Sequence, residues 1–134
     1  MTADLLARSV ESLAAGMTIY KGTVPSEPSY PYVLLTTNFP RVVERAQSMR
    51  VQARELRARA TVVGESVQSV RIIAQKVDDA FEGARVVVPG WVTGVLTCRP
   101  NDLDIEPDLD VTFANGLNPV YLPLEYVLTA SRTG

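Results

Sequence analysis

The clearest pattern along the chain is an alternation at residues 57 to 63, where Ala58, Ala60 and Val62 fall on one face and Arg57, Arg59 and Thr61 on the other. A period of two predicts a half-exposed strand, which Gly64 closes. The period then changes. Val67, Val70, Ile73, Ala74, Val77 and Phe81 recur at three- and four-residue spacing, behind Ser66 and ahead of Gly83, which predicts a capped helix. A second long alternation of Val120, Leu122, Leu124, Tyr126, Leu128 and Ala130 predicts a strand with one apolar face. Pro123 places part of that strand on an edge or at a bulge.

The remaining signals are shorter. Thr2 as a cap, Leu6, Val10 and Leu13 at helical spacing, and Gly16 as a stop predict a helix over 3–15. Tyr20 to Pro28 holds two prolines and a glycine, which stiffen an extended loop. It leads into a buried strand over Tyr30 to Thr37, with Pro31 confined to an unpaired start. Val86 to Val88, the Pro89-Gly90 turn and Trp91 to Cys98, interrupted by Gly94, read as a hairpin over 85–98. Two connections stay long, Asn38 to Leu56 and Arg99 to Leu117, and such loops are usually functional or become ordered on a partner. The element order predicts an α+β fold in a single domain, an antiparallel or mixed β-sheet with two helices packed on one face.

Composition narrows the chemistry. The chain has 134 residues, 46% of them apolar, and no histidine. The commonest general base, the commonest zinc ligand and every Ser-His or Cys-His nucleophile are therefore absent. The single Cys98 has no intramolecular disulfide partner and reads as a small buried hydrophobe. Trp91 and Phe81 read as core aromatics. A net charge of −2 gives no whole-molecule footprint for nucleic acid. With no signal segment at Met1 and no long apolar run, the expectation is a protein folded in a reducing cytoplasm and not in a membrane.

Charge is distributed unevenly. Residues 41 to 59 carry Arg41, Arg45, Arg50, Arg54, Arg57 and Arg59 against Glu44 and Glu55, a local charge of +4. Arginine in this density suits phosphates or an acidic protein surface, and it suits a plain solvated face equally. Asp102, Asp104, Glu106, Asp108 and Asp110 occupy every second position for a local charge of −5. As a calcium loop this run fails, because counting from Asp102 the sixth position is Pro107 and the twelfth is Phe113. It reads as a solvated loop or as an electrostatic partner for the arginines. No cofactor and no catalytic residue is expected.

The segment Val24-Pro25-Ser26-Glu27-Pro28-Ser29-Tyr30-Pro31-Tyr32-Val33-Leu34-Leu35 resembles a recurring feature of the tail terminator proteins of long-tailed bacteriophages, particularly those infecting actinobacteria. The similarity continues in register through Val62-Val63-Gly64, the helix end Val77 to Gly83, the turn at Val88 to Gly90, and Tyr121 with Tyr126. It covers most of the chain. The sequence departs from the pattern at Asn38 to Leu56 and at Asp102 to Asp110, which inherit no role. The resemblance implies a non-enzymatic homo-oligomer, typically a hexameric ring, at the head-proximal end of the virion tail. Such a ring caps the tail tube, stops its polymerisation and offers a surface to the head-side connector, while DNA passes through the lumen.

A ring of this kind uses heterologous interfaces, which two patches of opposite charge would suit. One expectation is that Arg50, Arg54, Arg57 and Arg59 of one subunit face Asp102, Asp104, Glu106, Asp108 and Asp110 of its neighbour or of the tube. The rival is an acidic run lining the lumen and repelling DNA. A neck or head-completion connector protein, and a small cytoplasmic enzyme using the carboxylate run with a metal, are the competing functional readings.

Overall fold

In the computed structural model the described residues are 8–9, 11–12, 16–38, 41–45, 51–99, 104–113 and 115–132, with 41–45, 51–52 and 132 described by backbone alone. The strands are β1 (Ile19–Lys21), β2 (Tyr32–Thr37), β3 (Arg41–Arg45), β4 (Val51–Gly64), β5 (Trp91–Thr93), β6 (Thr97–Cys98), β7 (Glu106–Pro107) and β8 (Val120–Arg132), and one helix, α1 (Val67–Phe81), follows β4. They join in one eight-stranded sheet.

Two long strands form its centre. β4 and β8 pair antiparallel from Ala53↔Ser131 to Gly64↔Val120. On the other side of β4, β2 pairs with Ala58 to Val63 and β3 with Val51 to Glu55, so the two short strands share one lane. On the other side of β8, β5, β6 and β7 form a second broken lane. β1 adds a parallel edge to β2, with Ile19 opposite Val33.

Backbone direction explains how β8 tolerates Pro123. Arg99 donates its N–H to Glu125 O, Gly94 to Thr129 O and Asp108 to Pro119 O, each at 2.8 Å. Odd-numbered residues of β8 therefore turn their backbone groups away from β4. The missing N–H of Pro123 falls in the gap between β6 and β7, where no ladder bond is lost.

One face of the sheet holds the core. Val33 and Leu35 of β2, Leu56, Ala58, Ala60 and Val62 of β4, and Tyr126, Leu128 and Ala130 of β8 are all buried. α1 covers part of this face with Val70, Val77 and Phe81. It starts at Ser66, where Ser66 and Ser69 form a reciprocal capping box, the hydroxyl of each accepting the other's backbone N–H.

The expected α+β sheet with two helices on one face is corrected here. The described residues carry a mostly β structure with the single helix α1 and a sheet curled into a half-barrel. Two physical reasons account for this. The segment between Asn38 and Leu56, expected as a loop, supplies β3 and the first turn-free stretch of β4. The core face beyond α1 is covered by an extended segment, which sinks Val86, Val88, Trp91 and Leu96 into the core where a helix was expected. At the predicted helix over 3–15, Arg8, Ser9 and Glu11 have helical backbone and Ser12 N–H donates to Arg8 O at 3.0 Å. The rest of that prediction lies outside the described residues.

The hairpin over 85–98 is corrected as well. Val86 to Val88 is extended but belongs to no strand, and Trp91 to Cys98 pairs with β8 through β5 and β6. The loop is closed internally by Leu96 N–H donating to Ala84 O, Gly83 N–H to Leu96 O, and the Thr93 hydroxyl to Val86 O.

Candidate functional site

Position parity decides where the predicted interface residues go. On β4, even-numbered side chains face the core and odd-numbered ones the opposite surface. Arg54 consequently shares the core side with Leu56 and lies half-buried beside Ala130, while Arg57 and Arg59 are exposed on the other face. The three arginines do not form one patch. Arg50 and Asp102 lie outside the described residues.

Arg57 and Arg59 find carboxylates within the chain. Arg57 Nε lies 3.4 Å from Glu55 Oε1, and Arg59 Nη2 lies 3.6 Å from Glu125 Oε2 on the neighbouring strand. Arg99 Nη1 reaches the other oxygen of Glu125 at 3.4 Å. These pairs are solvent-exposed, so each contributes only about 0 to 1 kcal/mol. With Thr36, Thr37 and Asn38 they line a shallow hollow of about 300 Å³ on the charged face. Asn38 ends the β2 pairing there, donating its N–H to Arg57 O and accepting from Arg57 N–H at 2.7 Å.

The acidic run lies elsewhere, against the first residues of β8. Glu106 belongs to β7 opposite Tyr121, and Asp104, Glu106 and Asp110 are exposed. Asp108 is half-buried and its Oδ1 accepts from Asp110 N–H at 3.1 Å. The loop that follows is tied to the Tyr30-Pro31-Tyr32 segment by aromatic contact. Phe113 meets Tyr30 edge-on at 5.1 Å, Tyr30 lies 5.4 Å from Tyr32, and Tyr32 lies 5.3 Å from Tyr20. Desolvation, with the charge of Asp108 adding to it, pushes the Tyr30 and Tyr32 hydroxyls above their ordinary pKa.

A third constellation was not anticipated from the sequence. Asp78, Glu82 and Cys98 bring one ligand atom each within 4.8 Å of one another under the C-terminal half of α1. Each carboxylate already has a structural task. Asp78 Oδ1 accepts from the Tyr126 hydroxyl at 3.0 Å, and Glu82 Oε2 accepts from the Cys98 backbone N–H at 2.6 Å. Burial, reinforced by both carboxylates, pushes the Cys98 thiol up, so at neutral pH it stays protonated, the opposite of what a metal ligand or nucleophile requires. The group locks helix to sheet. Its helical half was legible, since Asp78 and Glu82 sit one turn apart beside Phe81, and a tyrosine within an apolar strand needs a hydroxyl partner.

No family model and no curated protein matches the sequence. Among the described residues no helix is long and apolar enough to cross a membrane.

Proposed function

We propose that this chain is a virion assembly protein of the tail terminator type. In this reading it forms a ring, typically hexameric, at the head-proximal end of the tail. The ring stops polymerisation of the tube, presents a joining surface to the head-side connector, and lets DNA pass through its lumen without sequence-specific contact. The protein works by contact and not by catalysis, in the virion, after assembly in the host cytoplasm.

The observation that carries the reading is the resemblance of Val24 to Leu35, followed in order by the four further segments that match in register. The architecture agrees with a contact role. The matched residues are those that shape the fold: Tyr30 and Tyr32 hold the Phe113 loop, Val62 to Gly64 deliver the chain to the Ser66 cap, and Val88 to Gly90 turn it into β5. The carboxylates that do converge are Asp78 and Glu82, both committed to structural bonds, and not the 102–110 run on which the enzymatic reading rested.

The test is electron microscopy of the purified protein added to growing tubes of the tail tube protein from the same genome. The expected result is a ring on one end of each tube and an arrest of elongation. Tubes that lengthen normally with bare ends would overturn the reading.

A further inference from the structure

The large apolar side chains left exposed by the fold gather at two places. The first is the loop after β7, where Leu109 is 77% and Leu117 61% exposed, with Val111 between them. This loop is built, not loose. Phe113 N–H donates to Leu117 O at 2.7 Å, Gly116 N–H to Phe113 O at 2.9 Å, and Asp108 N–H to Pro119 O at 2.8 Å. Its rim is acidic, with Asp104, Glu106, Asp108 and Asp110 on the approach and Glu65 beside Phe113 across a shallow hollow.

The second place is the closed loop around β5, where Val87 is 87% and Val92 59% exposed, with Val95 also open. From Gly83 to Arg99 the chain has no acidic residue, and Arg85 and Arg99 are exposed. The two places sit at opposite ends of β8. β7 pairs at Val120 and Tyr121, and β5 at Ala130 to Arg132. Ten residues of strand at roughly 3.3 Å each separate them by about 33 Å.

We propose that these are the two halves of one head-to-tail interface, in which the acidic-rimmed Leu109–Leu117 loop of one copy docks on the basic-rimmed valine surface of a second copy. The inference rests on the ring reading above but specifies what that reading does not, namely which surfaces meet. Apolar clusters fixed on rigid backbone and rimmed by polar groups mark association sites, and the opposite rim charges identify a second copy as the occupant. Burying the leucines and valines supplies the affinity, and the rims set orientation. Because the patches differ and lie far apart, each copy keeps one free after pairing, so assembly continues to a closed ring or an open filament.

This replaces the expected pairing of the acidic run with the β4 arginines. Arg57 and Arg59 sit at mid-strand and are engaged by Glu55 and Glu125.

The experiment uses light scattering on the wild type and on two double variants, Leu109→Ser with Leu117→Ser and Val87→Ser with Val92→Ser, whose circular dichroism checks the fold. The wild type is expected to form particles larger than a dimer that dissociate as salt is raised. Each variant alone is expected to be monomeric, its association weakened about tenfold or more. Mixed together, the two variants retain one intact half each and are expected to form dimers and nothing larger, which a symmetric interface does not do. A wild type that stays monomeric overturns the proposal, and the tube-capping reading is then decided by the tube-end experiment. A wild type that forms rings while both variants assemble as it does overturns the assigned surfaces alone. Open filaments abolished by both variants uphold the surfaces and overturn the ring.

Discussion

Tyr126→Phe isolates the tie between helix and sheet. The substitution leaves the aromatic ring, which meets Phe81 edge-on at 5.3 Å, and removes only the hydroxyl that donates to Asp78. A hydrogen bond to an ionised partner is worth about 1.5 to 3 kcal/mol. Asp78 is half-buried and recovers some solvation, which places the loss at about 2 kcal/mol near neutral pH. The same geometry gives a pH signature. Desolvation and the Asp78 bond raise the Tyr126 pKa far above the ordinary 10.0, so the folded state keeps its proton where the unfolded state releases it. A raised folded-state value means that the stability is fully present below pH 10 and declines above it, by about 1.4 kcal/mol per pH unit. Phenylalanine has no proton to lose. Tyr30, Tyr32 and Cys98, also raised, are common to both proteins and cancel in the difference. Urea unfolding of the two proteins from pH 7 to 12 should show the wild-type advantage shrinking from about 2 kcal/mol to zero near pH 11 to 12. Equal stability at pH 7, or a difference that does not change with pH, would refute the argument.

Three further outcomes follow from named contacts. Leu35→Asp puts a carboxylate in the core at several kcal/mol against a total of about 5 to 15, and should yield insoluble protein on expression. Gly64→Ala drives a Cβ into Ser69 Oγ, which is held in the capping box, and brings it 3.1 Å from Val70 Cγ2; thermal unfolding should report a loss of about 1 to 3 kcal/mol. Glu125→Gln removes the carboxylate shared by Arg59 and Arg99 on an exposed face, so denaturant midpoints should show a loss under about 1 kcal/mol that fades at high salt.

The elements legible in the sequence are those with one buried face over their whole length. β8 and the second half of β4 alternate strictly, and α1 keeps one apolar stripe between Ser66 and Gly83. The first half of β4 does not. Ala53 is buried on one face and Leu56 on the other, with Arg54 and Glu55 between them, so the period of two is broken where the strand begins. β3 reads Arg-Val-Val-Glu-Arg, which has no alternation to detect. Val86 to Val88 shows the converse case, since buried, exposed, buried is an extended pattern that says nothing about a strand partner. For the candidate site, counting parity along β4 already separates Arg54 from Arg57 and Arg59. The exposure of Leu109 and Val87 depends on which loops the fold leaves uncovered, and no local pattern carries that.

The long pairing of β4 with β8 also governs when the protein can fold. Its partners come from opposite halves of the chain, with α1 and the whole β5–β7 lane looped out between them. Closing such a loop has to precede any reward from the contacts it creates, which slows the search. During synthesis, a nascent chain ending before residue 120 has Leu56, Ala58 and Ala60 but not the Tyr126, Leu128 and Ala130 that cover them. The core therefore closes only after the last strand has emerged from the ribosome, and until then the apolar face of β4 is a surface for chaperones to shield.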